Sequence, residues 1–221
     1  MGNTPSFSSI MDDVAKFEFY GEAFAYSVML LVLTHFISSS AQLMYEKGDV
    51  PFTNDPNNWS DYMFARMAGW FNALGFVWYP LVKFMVTKFN WRKSFAILGV
   101  VNLIAVGIIF AENLEVQVLT CLLLSFGRLL LFSCHHTYLL DIFGVANFGT
   151  LNGISSLFAA LLGLSSYPLQ LFALQTNYAI SFIPIGVLVI LAFLFPFFLG
   201  RKAHEKNGPV PDSIVEKQDS R

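Results

Sequence analysis

The chain has 221 residues, of which 55% are hydrophobic and only 13% are charged, whereas soluble domains carry about 25% charged residues. The formal net charge of −2 provides no basic surface, so no nucleic-acid partner is expected. The composition is typical of a membrane protein, and membrane lipid is the first partner that it predicts.

In chain order, hydropathy divides the sequence into a linker, a helical domain and a tail. Residues 1–17 are polar and are predicted to form a cytosolic linker, and residues 204–221 a disordered, charged cytosolic tail. A helix needs about twenty apolar residues to cross a bilayer. Residues 18–203 contain six apolar runs of about this length: 19–45, 61–87, 94–112, 115–142, 149–174 and 178–200. The expected fold is an all-α membrane protein with six transmembrane helices.

The flanks of these runs predict their orientation. Acids rather than basic residues lie before and at the start of the first run, so it is interpreted as a retained span and not as a signal peptide: Asp12, Asp13, Glu18 and Glu22. Cytoplasmic segments retain Lys and Arg, and this pattern together with six spans places both termini in the cytosol. The longest outer loop contains Asn58-Trp59-Ser60, which is either a glycosylation sequon or a chance tripeptide.

The fourth run contains ionisable residues at membrane depth. Cys121, Ser125, Arg128 and His135 share one helical face. Arg128 stays charged at physiological pH, so it needs an acid, backbone carbonyls or an anionic group of a substrate. A structural ion pair within the bundle is the alternative. Adjacent His135 and His136 point about 100° apart, and a hydrogen-bonded structural histidine is favoured over proton coupling.

The fifth run has a stripe of small and polar residues: Asn152, Ser156, Ala159, Gly163, Ser166 and Gln170. Such a face either permits close helix packing or lines a wet cavity. Pro168 would loosen the outer end of this helix, either as a gate or as a tolerated kink.

The remaining runs differ in polarity. The first run contains the polar residues Thr34, His35, Ser38, Ser39 and Gln42. The second run contains Arg66, Gly69 and Ala73 on one face. The third and sixth are nearly featureless. This alternation favours a three-plus-three repeat in which the third helix of each triplet lies outside the pathway.

Catalytic and metal-binding motifs are lacking in the sequence. There is no nucleophile elbow, phosphate loop or HExxH motif, and Asp141 is the only acid deep in the later runs. Cys121 and Cys134 lack metal-ligand spacing. The chain is therefore predicted not to be an enzyme and to need neither a metal nor a cofactor.

One stretch resembles a known family. Arg128 is followed twenty residues later by Phe148-Gly149, then by Leu151 and Gly153, and further on by Pro168 and Gln170. With the six-run pattern, this stretch resembles the C-terminal half of a major facilitator superfamily transporter, and most of all solute carrier family 43. That family comprises sodium-independent facilitators of large neutral amino acids and, in one branch, of purine nucleobases. Ser133, Cys134 and His135 replace the small residues that often follow the family's arginine.

The resemblance implies facilitated diffusion of an amino acid or nucleobase across the plasma membrane, by alternating access with a second six-helix half. That half would be a missing N-terminal half or a dimer partner. The implied substrate-binding residues are Arg128, His135, His35, Ser38, Gln42, Asn152 and Ser156, and the implied gating residues are Arg66 and Pro168. The scarcity of membrane carboxylates argues against ion coupling. The alternative is a truncated, non-transporting membrane protein that regulates a full-length transporter.

Overall fold

The computed structural model describes residue 14 and residues 16–49, 63–89 and 91–199. Regular secondary structure in these ranges is entirely helical, which confirms the all-α prediction for this part of the chain. The helices are α1 (Phe17–Glu46), α2 (Met63–Ala73), a 3-10 segment (Leu74–Trp78), α3 (Tyr79–Lys88), α4 (Trp91–Ile109), α5 (Leu114–Gly163), α6 (Ser166–Gln175) and α7 (Phe182–Leu199). Asn58, the tail and most of the predicted linker lie outside the described residues.

Helix α5 is interrupted at Gly144, which divides it into a first arm (114–143) and a second arm (145–163). Gly144 has φ 77° and ψ 171°, a combination that residues with a Cβ avoid. Seventeen residues of straight helix would separate His135 from Asn152 by about 25 Å, yet their side chains lie 3.0 Å apart. The two arms therefore fold back on each other, and the turn lies between the fourth and fifth predicted runs.

Two of the predicted continuous runs are divided by prolines. Run 61–87 becomes α2, the 3-10 segment and α3, with Pro80 in the first turn of α3. Pro80 has no N–H to offer the carbonyl of Phe76, so regular α-helical bonding cannot pass this point. Pro168 acts similarly on run 149–174, because the Leu164 carbonyl accepts from Tyr167 N (3.2 Å) and the helix restarts at Ser166.

Helix α1 lies at the centre of the bundle and packs most extensively on α5 and α7. The last turn of α1 and the residues just after it also form hydrogen bonds to neighbouring segments of the chain. Glu46 Oε2 accepts from Tyr178 N (3.0 Å), and the Lys47 ammonium donates to the Ala111 carbonyl. Partial burial lowers the pKa of Lys47, although Glu112 and Glu46 oppose this effect. Asp49 accepts from two backbone N–H groups at the start of α2.

Helices α4 and α7 form an apolar pair that packs through glycines. Gly99 lies against the ring of Phe193, and a methyl group at Gly186 would lie 3.3 Å from Val106 Cγ1. Small residues of this kind let two helix backbones approach closely. The exposed residues of 94–109 and 182–194 are all apolar.

Within the described ranges, two helical stretches are long and apolar enough to cross a membrane. They are Phe17–Glu46, with a mean hydropathy of 1.5, and Leu114–Gln175, with a mean hydropathy of 1.8, which includes both arms of α5 and α6. Shorter apolar helices cover Lys93–Ile109 and Phe182–Leu194. This criterion uses only the length and composition of a helix, and long core helices of soluble proteins also meet it. The six membrane crossings therefore stay a prediction.

Candidate functional site

A buried carboxylate–imidazole pair joins α1 to the first arm of α5. Glu22 Oε1 lies 2.6 Å from His135 Nδ1, and both side chains are 0% exposed. Glu22 lies in the second turn of α1, and His135 lies nine residues before Gly144. The pair is therefore near the end of the bundle where α1 begins and α5 turns. A charge so far from water needs a close partner of opposite sign.

Asn152 brings the second arm into the same cluster. His135 Nε2 lies 3.0 Å from Asn152 Oδ1. An amide oxygen can only accept, so in this arrangement Nε2 carries a hydrogen and donates it. The other ring nitrogen, Nδ1, then shares a proton with Glu22. The Glu22–His135–Asn152 cluster thus connects α1 with both arms.

Tyr26 completes the wall of this cluster. It lies one turn after Glu22, and its ring stacks on His135 with a centroid distance of 3.9 Å and an interplanar angle of 15°. The Tyr26 hydroxyl interacts with the side chain of Ser156 on the second arm. Glu22 Oε2 is buried and has no hydrogen-bond partner among the described residues. That oxygen is free to accept a proton or a bond from a polar group that enters.

His35 lies in a second buried cluster of different chemistry. Its Nδ1 is 3.1 Å from Ser166 Oγ and its Nε2 is 2.9 Å from Ser181 Oγ. Ser181 donates its hydrogen to the Tyr178 carbonyl (2.7 Å), so it can only accept from Nε2. A neutral His35 with Nε2–H satisfies all these groups if Ser166 donates to Nδ1. Neither ring nitrogen is available to a solute in this arrangement.

Other predicted site residues of α1 lie nearer the surface. Ser38 is exposed, donates to the His35 carbonyl (2.9 Å) and accepts from Gln170 Nε2 (2.6 Å). Gln42 is half-buried and has no hydrogen bond to another described residue. Ser38 is therefore hydrogen-bonded to Gln170, the last residue of the polar stripe in the fifth run.

Arg128 is separated from the other members of its predicted face. Ser125 is buried and donates to the Phe71 carbonyl at 2.7 Å, and His135 is buried beneath α1. Arg128 lies between these two packing regions, is exposed, and forms no ion pair or hydrogen bond with a described residue. Sharing a helical face did not give these residues one environment, because the helix packed against that face changes along its length.

The predicted gating residues and Ser156 are also exposed. Arg66 lies in the first turn of α2, and Pro168 lies in the first turn of α6, four residues after the helix break at Leu164. An open groove of about 450 Å³ between α1 and the second arm runs past Tyr20, Phe24 and Phe158. Its lining is mostly apolar, so it offers little to hold a polar solute.

Comparison with known proteins identifies no relative of this chain, since no family model, curated protein or solved structure matches it. Among the described residues, no group of histidine, cysteine and carboxylate side chains could hold a metal ion. A functional proposal for this chain therefore rests on the placement of its own polar groups.

Glu22 and Tyr26 belong to the site but do not stand out in the sequence. Glu22 falls inside the predicted run 19–45, and an acid within such a run is itself a signal. However, Glu22 is close in sequence to the linker acids, so it resembles a charge that flanks the run and not one that lies inside it. Tyr26 gives no signal of its own, because tyrosine is common in apolar helices.

Proposed function

We propose that this chain is the C-terminal six-helix half of a major facilitator superfamily transporter, most similar in pattern to solute carrier family 43. Together with a second six-helix half, it carries a small polar solute across the plasma membrane by alternating access, with both termini in the cytosol. The observation that carries the proposal is the exposure of Arg128. It lies 14 residues after Leu114 and 15 before Phe143, at the middle of the first arm.

A permanent charge at that position needs a polar environment. If the first arm spans the membrane, Arg128 is roughly 21 to 23 Å of helix from either end, close to the bilayer midplane. An arginine facing lipid there is costly, whereas one facing a water-filled cavity or an acidic partner is not. The described residues supply no such partner, which supports a pathway shared with a second half.

The distribution of exposed polar residues supports the same division of the surface. Polar side chains are exposed on α1, α2 and both arms of α5: Thr34, Ser38, Arg66, Arg128, Thr150 and Ser156. The exposed residues of 94–109 and 182–194, on the α4–α7 pair, are apolar. A half-transporter needs this arrangement, with its third and sixth spans against lipid and the other four around the pathway.

The chemistry of Arg128 favours a large neutral amino acid as the solute. A guanidinium binds a carboxylate through two parallel hydrogen bonds, and an amino acid supplies that carboxylate. Ser38, Gln42, Asn152 and Ser156 offer neutral hydrogen-bonding groups on the neighbouring helices. A purine nucleobase is the second candidate, which would use the neutral groups more than the arginine.

The test is uptake of radiolabelled leucine, phenylalanine and adenine by cells expressing the chain, with surface expression measured in parallel. Arg128→Ala should reduce leucine uptake at least tenfold. Hydrogen bonds to a charged group contribute about 1.5–3 kcal/mol, and 1.4 kcal/mol corresponds to about tenfold. Lys93→Ala is the matched control, because Lys93 is an exposed cation at the start of the apolar α4. Cells expressing Lys93→Ala should take up leucine at the normal rate.

Two outcomes would contradict the proposal. Normal uptake by Arg128→Ala at normal surface expression would remove Arg128 from the pathway. Surface expression of the wild type without uptake of any of the three solutes, together with capture of a full-length transporter whose own uptake changes when the chain is co-expressed, would favour the regulatory alternative.

A further inference from the structure

We propose that α2 is a gate that swings about the 3-10 segment (Leu74–Trp78), and that its movement opens and closes access to Arg128. This inference rests on the proposed transport function and adds a moving element within this half of the transporter. Rocking of one half against the other needs no break inside a helix, so the hinge is an additional device. The segment divides the second predicted run into a moving part, α2, and a fixed part, α3.

Hydrogen bonding along the backbone changes at the 3-10 segment. An α-helix bonds each N–H to the carbonyl four residues earlier, whereas a 3-10 helix uses the carbonyl three residues earlier with poorer geometry. Tyr79 N donates in this second way to the Phe76 carbonyl, and Pro80 has no N–H to donate. The Phe71 carbonyl, whose α-helical donor would lie inside the segment, accepts from Ser125 Oγ at 2.7 Å. Bending at this segment therefore costs fewer regular bonds than bending a continuous α-helix.

The broken helix is lightly packed compared with the centre of the bundle. In α1, 16 of 30 residues are buried, whereas in α2 only Ala68 of 11 residues is buried. None of the five described residues of the 3-10 segment is buried. Elements with few buried contacts open at a low free energy. The α3 side is held better, because Val82 and Met85 are buried and a two-residue connection ties α3 to α4. We therefore expect α2 to move and α3 to stay in place.

Hydrogen bonds at both ends hold α2 in the observed position. At its start, Asp49 accepts from Phe64 N and Ala65 N, both at 3.1 Å. At its other end, Ser125 donates to the Phe71 carbonyl. The net contribution of such a bond is modest, because water replaces a lost partner. Three bonds of this kind can hold one position of α2 and still leave a second position accessible.

The gate lies beside the arginine that is proposed to bind the solute. Arg128 follows Ser125 by three residues, which places it about 4.5 Å further along the first arm and about 60° around it. Because Ser125 bonds α2, this helix packs on the part of the arm next to Arg128. Movement of α2 away from Ser125 would uncover Arg128 towards the end of the bundle where α1 ends and α2 begins. A solute held by Arg128 would contact α2, so its binding can favour one position of the gate.

The first test measures the position of α2 with spin labels on the full chain in lipid nanodiscs. One label pair joins Trp70 on α2 to Leu191 on α7, and the matched control pair joins Phe84 on α3 to Leu191. All three residues are exposed. Alanine replaces the native Cys121 and Cys134, so that only introduced cysteines are labelled. We expect two distances for the α2 pair, whose populations change several-fold when leucine is added, and one unchanged distance for the control pair.

Two results of this test would overturn the hinge. One is a single α2 distance that leucine does not change, and the other is an equal change in both label pairs, which would indicate movement of the whole helix. Hydrogen exchange of the unlabelled wild type decides the same point without substitutions. The backbone amides of 74–79 should exchange faster than those of 82–88, and equal rates would contradict the hinge.

The second test stiffens the segment. Gly75→Ala places the new methyl group 3.6 Å from Ser125 Oγ, an ordinary contact, and favours a continuous α-helix by about two- to fivefold. Gly69→Ala is the matched control, because Gly69 lies in α2 outside the segment and has no atom within 4 Å of its would-be methyl group. We expect Gly75→Ala to slow leucine uptake by a similar factor and to shift the α2 pair towards one distance. Gly69→Ala should do neither, and equal slowing by both variants would overturn the hinge.

The two tests separate the gate from the transport function. Normal leucine uptake by the wild type, with α2 distances that respond neither to leucine nor to Gly75→Ala, would overturn the gate and leave the transport function intact. Absence of leucine uptake by the wild type would contradict the transport function. The α2 distances without leucine and the hydrogen exchange would still decide whether the segment is a hinge.

Discussion

Helix α1 contributes to two buried histidine clusters, and they show that the chemistry of its hydrogen-bond partners decides what a buried histidine can do. His35 and the Glu22–His135 pair are equally inaccessible, since all three side chains are 0% exposed. Each imidazole also uses both ring nitrogens. The partners of His35 are serine hydroxyls, which can donate or accept and need no charge. The partner of His135 is a carboxylate, which brings a proton and a charge with it.

This difference has energetic consequences. The His35 cluster can lose a partner and leave only neutral groups behind. Loss of a partner from the Glu22–His135 pair leaves a buried charge or forces a proton to move, and breaking a buried ion pair typically costs about 3–5 kcal/mol. We therefore expect the destabilisation caused by substitutions to be larger in the Glu22–His135 cluster than in the His35 cluster.

The largest effect is expected for His135→Leu. It should lower the free energy of unfolding by about 3–5 kcal/mol, because Glu22 loses its only described partner. The measurement is unfolding of the purified protein by a denaturing detergent. The matched control is the double variant Glu22→Leu/His135→Leu, which removes both charges and should recover most of the loss. A double variant as unstable as the single one would show that packing, and not charge, dominates this site.

Gly144→Ala should have an intermediate effect that reaches only the His135 cluster. No atom lies within 4 Å of the position that the new methyl group would occupy, so the cost comes from the positive φ alone. Such backbone strain costs about 1–3 kcal/mol. Gly144 folds the second arm back on the first, so the His135–Asn152 hydrogen bond should weaken in the variant. Nitrogen-15 spectra of the histidine side chains should show this change at His135 and unchanged signals from His35.

The control for this substitution is Gly163→Ala. Gly163 ends α5, also has no atom within 4 Å of its would-be methyl group and has no positive φ. Alanine there should be neutral or stabilising by up to about 1 kcal/mol. Equal losses at both positions would mean that the turn conformation of Gly144 is unimportant.

Local residue chemistry predicted much of this architecture. The apolar runs predicted helices wherever the described structure has them, because a long apolar run can bury its backbone only by internal hydrogen bonding. The gap between the fourth run (115–142) and the fifth run (149–174) also agrees with the structure, whose break lies at Gly144. Pro80 lies within the second run and accounts for a division that the hydropathy of the run does not reveal.

The sequence could not predict which side chains contact each other across the bundle. Helical periodicity placed Arg128 and His135 on one face, but it could not tell that α1 covers His135 and leaves Arg128 exposed. Glu22 and His135 are 113 positions apart in the sequence, a separation that carries no spacing signal for their contact. Periodicity predicts which residues share a face, whereas contacts between distant helices decide which of them become partners.

The smallest effect is expected for His35→Leu, which tests whether hydroxyl partners make a histidine merely structural. It removes two hydrogen bonds, each of which contributes about 0.5–1.5 kcal/mol, and leucine restores part of the apolar burial. The expected loss is about 1–2 kcal/mol in the same detergent assay. Ser181 keeps its bond to the Tyr178 carbonyl, and no ionisable partner remains to take up or release a proton. The loss should therefore be the same at about pH 6 and about pH 8. A loss for His35→Leu as large as that for His135→Leu, or one that changes with pH, would mean that burial outweighs partner chemistry in separating the two clusters.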